Sequence, residues 1–420
     1  MKINPFKPNS PSRPGMFVGR INEIDRIESA LIQTKANQNV NFLLRGERGI
    51  GKTSLLNLVK FFAEGQIEVR DHQLNFLVIE TDISKDTTQF GLIRKIEYAL
   101  RRRLEKSEPA RNFFSEAWGF IKKIEGAGFK INENKQEDAE LIFEEFSYSL
   151  ADTLKRITNT DSSNIFNSKY DGILVLIDKS NNASKQLDLG TFLKLLLERI
   201  QKEGTEKLMF GLAGLPKIKE VLIESHPSSI RLFDDIQMDR LLKEEVENVI
   251  ERVLESTSEL NGFKTLIDDD AKRMLTYFAE GFPHFIHQYG FSAFELSDGK
   301  TITNDNVIKG AIGRNGALEI IGNKYYRDDY YKKIQGDEYR EVLNIMSESL
   351  DNWVTKKEIK DKFKGTNNSL NNAIQALSSR GIIVSKEGSR GIYRLLDKGF
   401  AWWIRLKCSQ EKNKATTNSK

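Results

Sequence analysis

The residues best suited to chemistry lie in one short stretch, Gly46-Glu47-Arg48-Gly49-Ile50-Gly51-Lys52-Thr53, followed by Ser54. The Gly-x-x-x-x-Gly-Lys-Thr spacing is that of a Walker A loop, which cradles phosphates. Gly46, Gly49 and Gly51 allow backbone N–H groups to curl around phosphate oxygens, a path that side chains obstruct. A helix starting just after the loop would add the positive end of its dipole. Lys52 is expected to reach the β- and γ-phosphates, and Thr53 to offer its hydroxyl to Mg²⁺. ATP or ADP with Mg²⁺ is therefore the expected ligand of residues 46–54.

A second acid completes such a site. The apolar run Ile173-Leu174-Val175-Leu176-Ile177 ends at Asp178, the kind of strand-end carboxylate that steadies Mg²⁺. The next residue departs from an active hydrolase. A glutamate that activates water is usual there, and this chain has Lys179, which cannot act as a base while protonated. The strand expected over residues 207–212 should end in a polar sensor of the γ-phosphate, but it runs into Gly211-Leu212-Ala213-Gly214. Both departures predict slow or absent turnover, so that Lys52 and Asp178 serve mainly to hold the nucleotide.

The elements that must position these residues can be read from periodicity. Residues 4–15 carry Pro5, Pro8, Pro11 and Pro14 and must be extended. A helix is expected over 22–33, a strand over 40–44 entering the glycine loop, and a helix over 53–63. A strand over 74–79 leads to Glu80-Thr81-Asp82. Residues 86–157 read as mostly helical, interrupted at Gly126-Ala127-Gly128 and at 132–135, and carry no legible chemistry. A helix over 189–201, a strand over 207–212, a helix over 216–224 and a short strand over 234–238 follow. Strands alternating with helices imply a parallel sheet covered on both faces. From Lys243 the pattern is helical, with segments expected over 243–256, 267–279, 283–296 and 303–312. Residues 316–335 read as a helical connector whose tyrosines pack between domains.

Composition excludes several classes. The chain has 420 residues, 30% charged and 39% hydrophobic, which suits two or three globular domains. Its central apolar run is too short to span a bilayer, and residues 1–5 lack a signal-peptide stretch. One cysteine, Cys408, rules out an internal disulfide, and four scattered histidines do not suggest a metal site. A cytoplasmic location without membrane contact is expected. The net charge is +4, yet Gly336–Lys420 holds 16 Lys and Arg against 10 Asp and Glu, so the basic surplus sits at the C-terminal end. That distribution favours an anionic partner there.

Phe17-Val18-Gly19-Arg20, the Walker A loop, the strand ending in Asp178 and Gly281-Phe282-Pro283 together resemble Orc1/Cdc6-like AAA+ ATPases and the related archaeal-type and STAND ATPases. The resemblance covers residues 4–315. It implies that Pro5, Phe6, Val18 and Arg20 lie by the adenine, and that Pro283 and His284 approach the phosphates. Orc-like members carry an arginine at the place of His284. AAA+ proteins commonly supply an arginine finger to a neighbouring subunit from just before the fifth strand. Arg231 occupies that place, with a structural salt bridge as its alternative role. If Arg231 acts in trans, the protein forms a homo-oligomer when ATP is bound.

From Gly336 a further domain is expected. A helix over 339–346, a short strand over 352–355, a helix over 356–363 capped by Thr355, a helix over 369–379 and a hairpin over 382–395 follow the winged-helix order. The third helix buries Leu370, Ile374 and Leu377 and turns Asn368, Asn371, Asn372 and Gln375 outward. Asparagine and glutamine can pair with adenine edges in a major groove, and Lys386 and Arg390 on the hairpin would meet phosphates. Phe400, Trp402 and Trp403 are expected to pack a closing helix. A protein partner of the same domain is the rival reading.

The expected fold class is α/β: a P-loop AAA+ parallel-sheet core over 1–240, with 4–20 on its adenine side, a helical lid over 241–315, a connector over 316–335, a winged helix over 336–408 and a disordered tail over 409–420. The expected function is an ATP-dependent switch on duplex DNA with weak hydrolysis. A STAND-type signalling or defence ATPase with a protein-binding winged helix, and an actively hydrolysing motor or loader, are the alternatives.

Overall fold

Short apolar runs without polar alternation suit strands buried on both faces, and in this chain they line up as one parallel sheet. The structure, a computed structural model, describes residues 2–11, 17–126, 136–159, 165, 166, 168–334, 336–350 and 352–417. They form two compact units, Pro11–Asp239 on one hand and Met1–Ser10 with Arg240–Lys420 on the other.

The Pro11–Asp239 unit runs α1 (Ile21–Lys35), β1 (Asn41–Gly46), α2 (Lys52–Ala63), β2 (Phe76–Asp82), α3 (Gln89–Leu104), α4 (Glu108–Ala117), α5 (Gly119–Gly126), α6 (Gln136–Thr158), β3 (Gly172–Asp178), α7 (Leu189–Lys202), β4 (Leu208–Gly214), α8 (Ile218–Ser225) and β5 (Phe233–Met238). The five strands lie in the order β2-β3-β4-β1-β5, and every pairing is parallel. Every residue of β4 is buried. At Gly211 a methyl group would come within 2.3 Å of the Phe42 ring on the neighbouring strand, so any side chain here forces that ring to shift.

Parallel strands bring their C-terminal ends to one edge, and that edge is where α/β sheets bind ligands. Here Gly46, Asp82, Asp178, Gly214 and Met238 close their strands. The helices α3 to α6 supply a layer over the sheet. Leu92, Ile96, Phe114, Trp118 and Phe146 share one core with Val175, Ile177 and Phe210. Trp118 is fully buried, and its indole N–H donates to Thr153 Oγ1 at 3.1 Å. The described part of this stretch thus packs over the sheet. Of its expected interruptions, residues 127–135 lie outside the described residues, as does Pro14.

The second unit contains α9 (Lys243–Glu255), α10 (Ser258–Asn261), β6 (Leu266–Ile267), α11 (Asp269–Ala279), α12 (Pro283–Leu296), β7 (Thr301–Ile302), α13 (Asn304–Ile312) and α14 (Ala317–Tyr325). A single π-helical turn at Asp329–Lys333 follows. Then come α15 (Asp337–Ser347), β8 (Val354–Thr355), α16 (Lys356–Lys362), α17 (Asn367–Ser379), β9 (Ile383–Ser385), β10 (Ile392–Leu395) and α18 (Lys398–Thr417). The strands β8, β10 and β9 form a small antiparallel sheet with β10 in the middle. Thr355 caps α16: its hydroxyl accepts from Glu358 N–H at 3.2 Å, while the Glu358 carboxylate accepts from Thr355 N–H at 2.6 Å. Of the connector tyrosines, Tyr326 and Tyr330 are buried, 5.2 Å from Phe400 and 5.5 Å from Trp403 between ring centres, whereas Tyr331 is exposed.

Two expectations are corrected. The first residues do not belong to the sheet unit: Met1–Ser10 cluster with the helical one. Lys2 Nζ donates to the carbonyls of Phe294, Glu295 and Ser297 at 2.9, 3.2 and 2.6 Å, satisfying acceptors at the end of α12. Phe6 is 1% exposed and lies against Gly290, where a methyl group would meet its ring at 2.3 Å. The second correction is the tail, expected to be disordered from Ser409. Instead α18 continues to Thr417, because no glycine or proline follows Gly399 to stop it.

Candidate functional site

The glycine loop joins β1 to α2 with the backbone that its sequence requires. Gly49 and Gly51 have φ of 82° and 103°, the left-handed region open to glycine at no steric cost. Gly51 is the N-cap of α2, so the first free N–H groups of that helix face the loop. Ile50 is buried and anchors the loop, whereas Glu47 and Arg48 are exposed and Ser54 is half-buried. Lys52 Nζ donates to the carbonyls of Gly46 and Glu47, both at 2.8 Å. Burial lowers the Lys52 pKa to about 8, against the opposing pull of Asp178 and Glu47. A partly desolvated ammonium whose two partners are neutral carbonyls gains by exchanging them for charged phosphate oxygens.

Across the sheet edge, Thr53 Oγ1 donates to Asp178 Oδ2 at 2.8 Å. Asp178 Oδ1 accepts from the backbone N–H of Lys179 at 2.7 Å, which fixes the carboxylate. A hydroxyl and a carboxylate oxygen in contact, both hard donors, fit Mg²⁺ that takes its remaining ligands from phosphates and water. Among the described residues there is no group of three or more His, Cys, Asp or Glu that could hold a metal alone.

Lys179 has φ of 54°, a left-handed conformation uncommon for a lysine, and it turns its ammonium toward β2. Its Nζ lies 3.5 Å from Asp82 Oδ2. Lys95 Nζ reaches the same residue, at 2.7 Å from the carbonyl and 3.5 Å from Oδ1. Burial pushes the Asp82 pKa up, but the ammonium groups of Lys95 and Lys179 together outweigh it and hold the pKa below the ordinary carboxylate value. Sequence reasoning passed over Asp82. Its position at a strand end was the available signal, but the adjacency of β2 and β3 was not written in the chain. Asn181, in the turn after β3, was also missed. Its Oδ1 accepts from Leu215 N–H at 2.9 Å, so a polar side chain from another segment sits at the all-apolar end of β4.

Arg20 is 7% exposed, and its guanidinium ties three segments of the sheet unit together. Nη1 meets Glu23 at 3.2 Å, and Nη2 donates to the carbonyls of Ile50, at 3.5 Å, and Asp239. Val18 is half-buried nearby in sequence. Arg231 is exposed on the 3-10 turn Ser229–Leu232 that leads into β5, and makes no ion pair among the described residues.

In the helical unit, Gly281 has φ of 77°, and a methyl group there would meet the Leu241 carbonyl at 2.6 Å. Pro283 opens α12 at a position where its missing N–H costs nothing. His284 is half-buried, with its ring 5.5 Å from that of Tyr325. Pro5 and Phe6 also lie in this unit, with Phe6 edge-on to His287 at 6.2 Å. Its ring fills a core of this unit. On α17, Asn368, Asn371, Asn372 and Gln375 are all exposed, opposite buried Leu370, Ala373, Ile374 and Leu377. Lys386 and Arg390 are exposed beside the β9–β10 turn.

No protein-family model matches the chain, and no curated protein sequence matches it. Solved structures do. A Walker-type ATPase of Pyrococcus abyssi superposes with a TM-score of 0.54 at 15% identity, over 96% of this chain and 99% of that one. The Aeropyrum pernix ORC2 protein, solved in ADPNP and ADP complexes, superposes with a TM-score of 0.55 at 13% identity, over 99% of both chains. At such identities the likeness is one of fold, and it extends from end to end: the chain has the α/β P-loop AAA+ fold.

Proposed function

We propose that the chain binds ATP with Mg²⁺ at the β1–α2 loop and acts as a nucleotide-dependent switch on duplex DNA. One observation carries the reading. The two left-handed glycines, Lys52 and the Thr53–Asp178 pair converge at the C-terminal edge of a parallel sheet. In this reading the amides of residues 47–53 bind phosphate oxygens and Lys52 neutralises their charge. Thr53 and Asp178 hold the metal, which supplies charge neutralisation at the phosphates. Val18 and Arg20, in the same unit as the loop, stand on the adenine side of the nucleotide.

Turnover is slow in this reading because Lys179 replaces the usual glutamate. A bound triphosphate then persists and works as a signal. The output element is the winged helix formed by α15 to β10. Its α17 offers exposed amides for base edges, and Lys386 and Arg390 offer charge for phosphates. A second reading, a signalling ATPase whose winged helix takes a protein, draws on Trp353. That ring is 37% exposed, with the Arg394 guanidinium 4.9 Å from its centre, and tryptophan and arginine are enriched among interface hot spots. Arg231 serves a neighbouring copy if the ATP-bound form oligomerises.

The test is calorimetry with ATP and Mg²⁺ on the full chain, beside Lys52→Ala, followed by duplex titration at two salt concentrations. Binding that Lys52→Ala abolishes is expected. DNA affinity should rise with ATP, weaken with salt and fall at least about tenfold in the Lys386→Ala, Arg390→Ala double variant. Unchanged ATP binding in Lys52→Ala would sink the site. Absence of DNA binding with and without ATP would move the reading to the protein partner.

A further inference from the structure

We propose that Asp82 is the carboxylate that accepts the proton of the attacking water at this phosphate site, with Lys179 as its positioning counter-ion. The inference rests on the ATP-site reading above. It replaces the acid missing at position 179 with one on the adjacent strand.

The first support is register. Asp82 pairs with Asp178 across β2 and β3. Registered residues of parallel neighbours project to the same sheet face, about 4.8 Å apart along the hydrogen-bonding direction. The face is fixed independently. Glu80, two residues before Asp82 and so on the same side, forms an ion pair with Lys60 of α2, the helix that opens at the phosphate loop. Asp178 meets Thr53 of that same helix. Asp82 and the proposed metal-holding Asp178 are therefore neighbours on the side of the sheet that faces the loop.

The second support is how Asp82 is held. Lys179 and Lys95 approach its carboxylate from two sides, each at 3.5 Å. The Lys179 ammonium is thereby committed to Asp82 and does not lie unpaired where water must be polarised. The three side chains are well exposed, at 58% for Asp82, 62% for Lys179 and 42% for Lys95, so water has access to the carboxylate. Exposed pairs of this kind add little to stability, so the substitutions that remove them should leave the fold intact.

The step balances without another reactant. A water O–H bond breaks as its proton passes to Asp82, and the water oxygen bonds to the γ-phosphorus. The bond from that phosphorus to the bridging oxygen breaks, and its electron pair leaves with ADP. Asp82 then returns the proton to solvent as ADP and phosphate depart.

The test is single-turnover phosphate release by the full chain, read beside the affinity for ATP with Mg²⁺ from calorimetry. Asp82→Asn should lower the rate about 100-fold, within the range of a lost general base, while affinity stays within about threefold. Asp82→Glu should recover part of that rate, and Lys179→Arg should hold it better than Lys179→Met. A wild-type rate in Asp82→Asn overturns the proposal, as does a loss of affinity that accounts for the whole loss of rate. It also fails if the wild type binds ATP yet releases no more phosphate than Lys52→Ala does. If the wild type binds no ATP, the site reading falls first and this step with it.

Discussion

At the scale of single residues, burial decides what a titratable group can do. His287 sits on α12, with its Nδ1 accepting from Lys7 N–H at 3.2 Å and Phe6 against its ring. Burial lowers its pKa to about 4, with His284 and Lys7 as minor contributors. The unfolded chain, with an ordinary histidine, binds the proton more readily between these values. Stability from this group is thus complete above about pH 6.5 and is lost as pH falls toward about 4. We expect the melting temperature to drop between about pH 7 and pH 5, and the drop to shrink in His287→Gln. An identical pH dependence in both proteins would show that other groups carry it. Lys52 illustrates the opposite use of burial: a lowered pKa marks an ammonium that gains by meeting phosphate.

At the scale of elements, capping sets where the C-terminal helices begin. Thr366 caps α17 by accepting from Ser369 N–H at 3.2 Å, as Thr355 caps α16 with the help of Glu358. Each cap satisfies an N–H that no earlier turn can reach. Thr355→Ala should lower stability by about 1 kcal/mol in urea unfolding, with no change in the denaturant slope. A loss below about 0.3 kcal/mol would mean that α16 is held by Ile359 and its neighbours alone. The Thr355 cap was legible in the sequence, because a threonine three residues before a glutamate is a local signal; the Thr366 cap, with Ser369 in that place, was not. The α18 helix was not legible past Ser409, since a polar run without breakers reads equally well as a tail.

At the scale of the whole molecule, a polar cluster gathers segments far apart in the chain. Glu280 has φ of 49°, and its carboxylate accepts from Gly399 N–H at 2.6 Å and Lys398 N–H at 3.1 Å, at the start of α18. Arg240 Nη1 lies 3.5 Å from Glu280, and its Nη2 lies 2.6 Å from Asp397. The Arg240 guanidinium also stands 4.5 Å from the centre of the Phe282 ring. Residues 240, 280–282 and 397–399 are thus tied within one unit, at the turn between α11 and α12 and the start of the last helix. Burial raises the Glu280 pKa, so its carboxylate depends on these partners. Glu280→Ala should destabilise the protein by about 2–4 kcal/mol, since it leaves Arg240 and two N–H groups short of an acceptor. Differential scanning calorimetry would read this, and a shift of less than about 1 °C would contradict it.

The sequence alone determined the local elements and one half of the site. The glycine loop, the strand that enters it and the helix that leaves it are contiguous, so spacing and periodicity suffice to place Lys52 and Thr53. The acid at the end of a buried apolar run could likewise be found from its own neighbourhood. Tertiary structure decided which strand ends stand side by side. Asp82 and Asp178 are separated by the whole α3–α6 layer in the chain, yet the β2–β3 pairing makes them neighbours. It also decided that Phe6 fills a helical core, and that Arg240, Glu280 and Asp397 meet. Such contacts arise from long-range packing and strand order, and no short-range pattern of residue types encodes them.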